Sequence, residues 1–158
     1  MERGRTGGSA TGSSILVPVD FEPASMHALE TALQLARKIG AEVVLLHVYG
    51  LPVYVYPGMD PIIAPTLNHE IAEAATRALD QLAESSGGLR RMVRSGDAAA
   101  EILEVIDELH PSMVVMGTHG RSGLARWVMG SVAEQVSRRS SIPVLTVRTP
   151  RESTPPAE

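Results

Sequence analysis

Residues 14–49 read SILVPVDFEPASMHALETALQLARKIGAEVVLLHVY, and how they are read decides the fold. The first seven, SILVPVD, are a short apolar run rich in branched side chains, bounded by a proline and an acid. A strand buried on both faces has this continuous pattern, whereas a strand with one wet face alternates. Pro18 donates no ladder hydrogen bond, so it belongs near the strand's C-terminal end. In residues 22–40, Leu29, Leu33, Ala36 and Ile39 recur on one helical face. Pro23 near the start and Gly40 at the end are the usual helix punctuation. AEVVLLHVY, residues 41–49, is a second buried strand. Strand, helix and strand in this order imply a right-handed crossover between parallel strands.

The same alternation continues outward. Residues 50–65, GLPVYVYPGMDPIIAP, interrupt it with four prolines, too many for regular structure through most of the stretch. This loop is expected to be mobile and to act as a lid. A helix is predicted over 68–85, with Ile71, Ala75, Ala78 and Leu82 in register. A weaker, more polar strand over 89–96 suits a sheet edge. Then come a helix over 97–110 capped by Asp97, a buried strand over 112–117, a helix over 130–140 and a last strand over 143–148. Five strands alternating with four helices make an α/β fold, a single doubly wound domain. It has a five-stranded parallel sheet in the order 3-2-1-4-5 and helices on both faces. Ligands bind such sheets outside the C-terminal strand ends, where the connection reverses direction. Function is therefore expected just after ILVPV, LLHV and VVMG.

With 158 residues the chain has the length of one domain and can bury a core without metals or disulfides. Its lack of cysteine removes thiol catalysis and thiolate metal sites. A net charge of −4 with dispersed arginines offers no basic stripe for a nucleic acid, and aromatic residues for base stacking are scarce. The apolar runs fall far short of the roughly 20 residues of a membrane helix. Residues 1–13 are small, polar and glycine-rich with no apolar segment of a secretory signal. They are expected to be a disordered leader, 14–148 the folded domain and 149–158 a disordered tail. A cytoplasmic location follows as an expectation, with no nucleic-acid or membrane partner.

The densest functional signal is GTHGRSGLARWVMGS, residues 117–131. Gly117 ends a buried strand, two residues separate it from Gly120, and nine more lead to Gly130 and Ser131, where a helix begins. Glycines here permit positive φ and close backbone approach to a ligand. Exposed N–H groups and the helix dipole then bind oxyanions. A lysine-bearing phosphate loop is excluded, because Met129 precedes Gly130-Ser131 and the only lysine of the chain is Lys38. The competing reading is that the glycines merely shape a tight strand-to-helix connection. His47 reads as a structural residue in an apolar strand, whereas His119 lies in the loop within reach of a phosphate. His27, His69 and His110 lack metal-ligand spacing. Arg126 reads as solvent-facing, Arg121 is open between phosphate and water, and Trp127 reads as packing. Glu101, Glu104, Asp107 and Glu108 read as a solvated helix face. No nucleophile, base and orienting acid form a set.

ILVPVDFEPASMHALETALQLA, AEVVLLHVY, SGDAAAEILEVIDE, VVMGTHGRSGLARWVMGSVAEQV and IPVLTVR, in this order, resemble the universal stress protein family over residues 14–148. The glycine spacing is similar to that of the family's ATP-binding subclass. The resemblance implies that Asp20 accepts from ribose hydroxyls, chemistry a carboxylate can perform, against the alternative that it caps a helix. It implies that Pro18 and Val19 wall the adenine and that the Val48 backbone contacts it. Met116, Gly117 and Gly120 would meet ribose and phosphates, with Gly130, Ser131 and Val132 closing around the phosphates. The cofactor implied is ATP, with Mg2+ or Mn2+ carried through its phosphates and no protein metal ligands. The function implied is a nucleotide-dependent regulatory or stress-response factor with slow or no hydrolysis. The alternatives are an interaction module with an empty pocket, or a weak nucleotide phosphohydrolase. The last strand, PVLTVR, is an edge strand in the assumed order and invites antiparallel pairing into a homodimer, as in similar proteins.

Overall fold

The computed structural model describes residues 13–50, 65–118 and 129–149. The loop 51–64, most of the glycine-rich connection and both termini lie outside these residues, and with them the lid, leader and tail expectations. The elements in chain order are β1 (Ser14–Pro18), α1 (Pro23–Ile39), β2 (Glu42–Tyr49), α2 (Pro65–Ser85), β3 (Arg90–Ser95), α3 (Ala98–Leu109), β4 (Met113–Gly117), α4 (Ser131–Arg139) and β5 (Val144–Val147). The strands form one parallel sheet in the order β3-β2-β1-β4-β5, as the sequence predicts.

Two apolar layers explain why the central strands read as continuous hydrophobic runs. Successive strand side chains point to opposite faces. Ile15, Val17, Leu45 and Val115 meet α1 and α2 through Ala28, Leu29, Ala32 and Leu79. Leu16, Val44, Leu46 and Val114 meet α3 and α4 through Ile102, Val105, Ile106 and Val136. Each of these fully buried branched side chains contributes roughly 1.5–3 kcal/mol. No helix among the described residues is long and apolar enough to cross a membrane.

Local chemistry sets the element ends. Pro23 sits in the first turn of α1, and Gly40 closes it at φ 68°, its amide bonded to Ala36 O. Asp97 caps α3 by accepting from the Ala100 amide at 2.9 Å, as its position implies. Helix α2 begins at Pro65, three residues before the start the periodicity marks. Proline is tolerated there because a first-turn amide has no intrahelical partner to lose. The polar strand β3 is indeed an edge strand, and its arginines reach opposite faces. Arg91 bonds Asp80 on α2, and Arg94 bonds Glu108 on α3. The hydrogen bond and charge of Asp80 hold the Arg91 guanidinium above its ordinary range. Glu108 is thus paired, a refinement of the solvated-face reading.

Candidate functional site

The chain reverses its direction of travel between β1 and β4, the sheet's topological switch point. A cavity of about 840 Å³ opens there, over the C-terminal strand ends. Pockets for small ligands span roughly 300–1,000 Å³. Pro18, Val19 and Asp20 contribute from the end of β1, and Val48 from β2. Met116 and Gly117 come from β4, and Gly130, Ser131 and Val132 from the start of α4. All of these line the one cavity, so residues far apart in sequence meet at one place. Gly120 lies outside the described residues, as do His119, Arg121, Arg126 and Trp127.

Asp20 organises the turn between β1 and α1. Its Oδ1 accepts from the Glu22 amide at 3.0 Å, and its own amide donates to Ser25 Oγ at 3.2 Å. Ser25, only 5% exposed, donates onward to the Glu22 carbonyl at 3.0 Å. Asp20 is therefore not the cap of α1: the N-cap position belongs to Glu22, which makes no side-chain capping bond. A carboxylate has acceptor capacity beyond one amide, so the turn does not exhaust it. His47 is tied down nearby, its Nδ1 donating to the Val19 carbonyl at 2.7 Å. A carbonyl can only accept, so Nδ1 carries the proton. The Phe21 ring packs on the imidazole at 4.7 Å between centroids, with Phe21 itself at φ 65°. His47 thus links the ends of β1 and β2 through Nδ1, and its ring also lines the cavity.

The glycines correct one expectation. Neither Gly117 nor Gly130 is at positive φ, and Gly130 has φ −58° and ψ 148°, which any residue adopts. At Gly117 the demand is steric: an added Cβ would lie 2.7 Å from the carbonyl carbon of Ala24 and 2.8 Å from its oxygen. The first turn of α1 packs directly on the strand end. The Gly130 amide donates to the Thr118 carbonyl, joining the two ends of the connection. The intrahelical bonding of α4 starts with Glu134 N to Gly130 O. The amides of Ser131, Val132 and Ala133 therefore precede the helix's own ladder at its positive end.

Among the described lining residues, Asp20 is the only formal charge. No group of histidine and acidic residues suited to a metal occurs among the described residues. His27 and His69 face Glu30 and Glu73 on their own helices, and His110 ends α3 at φ 47°. Sequence reasoning missed Ser25, Thr118, Ala98 and Ile102 as lining residues, and it marked Ile71 and Ala75 only as a helix face. The usable signal was Asp20 itself, since an aspartate after a strand often locks a turn by accepting from the amide two residues on, as it does here from Glu22.

Fold and cavity together define a doubly wound α/β domain with a cavity of small-molecule size at its switch point. The family model of the universal stress protein family matches residues 13–148, and the chain belongs to that family. It is 30% identical over 141 residues to a universal stress protein of Methanocaldococcus jannaschii, covering 87% of this chain and 83% of that one. It is also 30% identical to universal stress protein YxiE of Bacillus subtilis over 146 residues, 86% of this chain and 99% of that one. Among solved structures, universal stress protein UspA from Lactobacillus plantarum superposes with a TM-score of 0.69 at 26% identity, covering 86% and 97% of the two chains.

Proposed function

We propose that this universal stress protein binds ATP and acts as a nucleotide-dependent regulatory factor, with slow or no hydrolysis. One observation carries the reading: the switch-point cavity has a carboxylate at the end of β1 and unladdered amides at the start of α4. Asp20 supplies an acceptor for ribose hydroxyls. Ser131, Val132 and Ala133 supply donors and the helix dipole for phosphate oxygens. The Pro18, Val19 and Val48 walls suit an adenine, with Met116 and Gly117 beside the ribose and phosphates. With no cation among the described lining residues, Mg2+ or Mn2+ held by the phosphates offsets their charge.

The test is calorimetry with ATP and its 2′,3′-dideoxy analogue, on wild type and Asp20→Asn. Asparagine keeps an oxygen for the Glu22 amide, so the turn survives while the anionic acceptor is lost. Ribonucleotide affinity is expected to fall about 5- to 150-fold and dideoxy affinity far less, a loss of roughly 1–3 kcal/mol. Equal weakening of both would make Asp20 a turn residue only. A turnover assay run alongside separates binding from slow hydrolysis.

The reading includes a homodimer through β5. This strand is a sheet edge, and Leu145 on it is 41% exposed, one of few large apolar side chains among the described residues that open to solvent. Antiparallel pairing of two such edges would cover Val144, Leu145 and Val147.

A further inference from the structure

Phe21 holds a backbone conformation that its side chain disfavours. Its φ of 65° lies in the left-handed region, which bulky residues rarely enter because Cβ crowds the following carbonyl. The other non-glycine residue at positive φ among the described residues is His110, and it closes a helix, a usual place for that conformation. Phe21 closes no helix. It is the middle of the turn from β1 into α1, where the Asp20 side chain bonds the Glu22 amide. Glycine would adopt that φ without steric cost. Burial does not explain the aromatic ring either, since Phe21 is 37% exposed. Strain of this kind persists only where neighbouring contacts over-determine it, and it gathers at functional sites.

The contact that holds the ring is His47, with ring centroids 4.7 Å apart and planes tilted by 51°. The same imidazole donates from Nδ1 to the Val19 carbonyl at 2.7 Å. Val19 and Phe21 are thus both tied to one side chain, and Asp20 is the residue between them. The anchor is firm. Val19 N–H donates to the Leu46 carbonyl at 2.8 Å, and His47 itself pairs in register with Val93 of β3. The turn is therefore fastened to an inner strand of the sheet, and Asp20 lines the cavity from it. A carboxylate whose neighbours are fixed on both sides needs little further ordering when a ligand arrives.

We propose that Phe21 is a positioning residue: its ring, seated on His47, holds the turn in its strained form and keeps the Asp20 carboxylate directed into the cavity. This rests on the nucleotide reading above and goes further, because it assigns a role to a residue that does not itself line the cavity. Strain in the backbone and selectivity at the carboxylate are then two effects of one side chain.

The experiment is calorimetry with ATP and its 2′,3′-dideoxy analogue on wild type, Phe21→Gly, Phe21→Asn and Phe21→Tyr, with a thermal melt of each ligand-free protein. Glycine and asparagine accept the left-handed φ and remove the ring, whereas tyrosine keeps the ring. Wild type is expected to prefer ATP by about tenfold. Phe21→Gly and Phe21→Asn should lose most of that preference through weaker ATP binding, with dideoxy affinity unchanged and Tm no lower than wild type. Phe21→Tyr should match wild type. Full preference retained in the two ringless variants overturns the inference. So does a matched loss for both ligands, or a fall of several degrees in both ringless Tm values, either of which makes Phe21 a residue of folding only. A Phe21→Tyr protein without the preference also overturns it, because the ring is still there. Wild type that binds the two ligands equally removes the ribose contact of Asp20, and this inference with it, while nucleotide binding stands. Wild type that binds neither ligand defeats the nucleotide reading as well.

Discussion

A single methyl group at position 117 would collide with the backbone of Ala24, and that contact separates two roles a glycine can have. The sequence presents Gly117 as the start of a glycine-spaced loop, from which freedom of φ and room for a ligand both follow. In the structure the glycine instead admits α1 against the end of β4. Gly117→Ala is therefore expected to lose about 1–3 kcal/mol in urea unfolding, the usual cost of forcing a methyl into a packed site. Stability equal to wild type would show that α1 shifts freely and that the contact is soft. The same reasoning means that a branched residue at 117 tests folding before it tests binding. Such a distinction is invisible in one sequence, because the letter for glycine is the same whether φ or a neighbour demands it. Asp20 was legible as a polar group at a strand end, but its hold on the turn depends on Ser25 and the Glu22 amide, which only the fold brings to it.

At the scale of elements, the sequence was most informative where local chemistry and hydrophobic period agree. Helix α3 has both: a capping acid at Asp97 and buried Ile102, Val105 and Ile106 at helical spacing. Asp97→Ala should cost about 1 kcal/mol, because the Ala100 amide loses its acceptor. Gly40→Ala should cost a similar amount, about 1 kcal/mol, through the left-handed φ at the end of α1. Chemical denaturation checks both, and Asp97→Asn, which keeps the acceptor, should stay near wild type. Helix α2 was legible in its middle and not at its start. There Pro65 reads as an interruption when it follows three other prolines, although proline is acceptable in a first turn.

Across the whole molecule, the strand order could be read because five buried or half-buried strands with helices between them leave few right-handed arrangements. The switch point then located the cavity before any side chain was placed. The sheet's outer face toward other molecules is harder to read, since exposure belongs to the assembled fold. Leu145→Asp is expected to convert a β5-paired dimer to monomer by light scattering, with ATP affinity unchanged, since the cavity is lined from other positions. A monomeric wild type at micromolar concentration would remove the dimer from the reading. The two edges of the sheet are not equivalent. Strand β3 has Arg90, Arg91 and Arg94 along it, two of them tied to Asp80 and Glu108, while β5 is short and apolar. Charges on an edge discourage strand addition. If β5 pairs as proposed, the chain is monofunctional in the language of polymer chemistry, with one sheet edge that reacts and one that is blocked. Sheet growth from such a unit is then expected to stop at two copies.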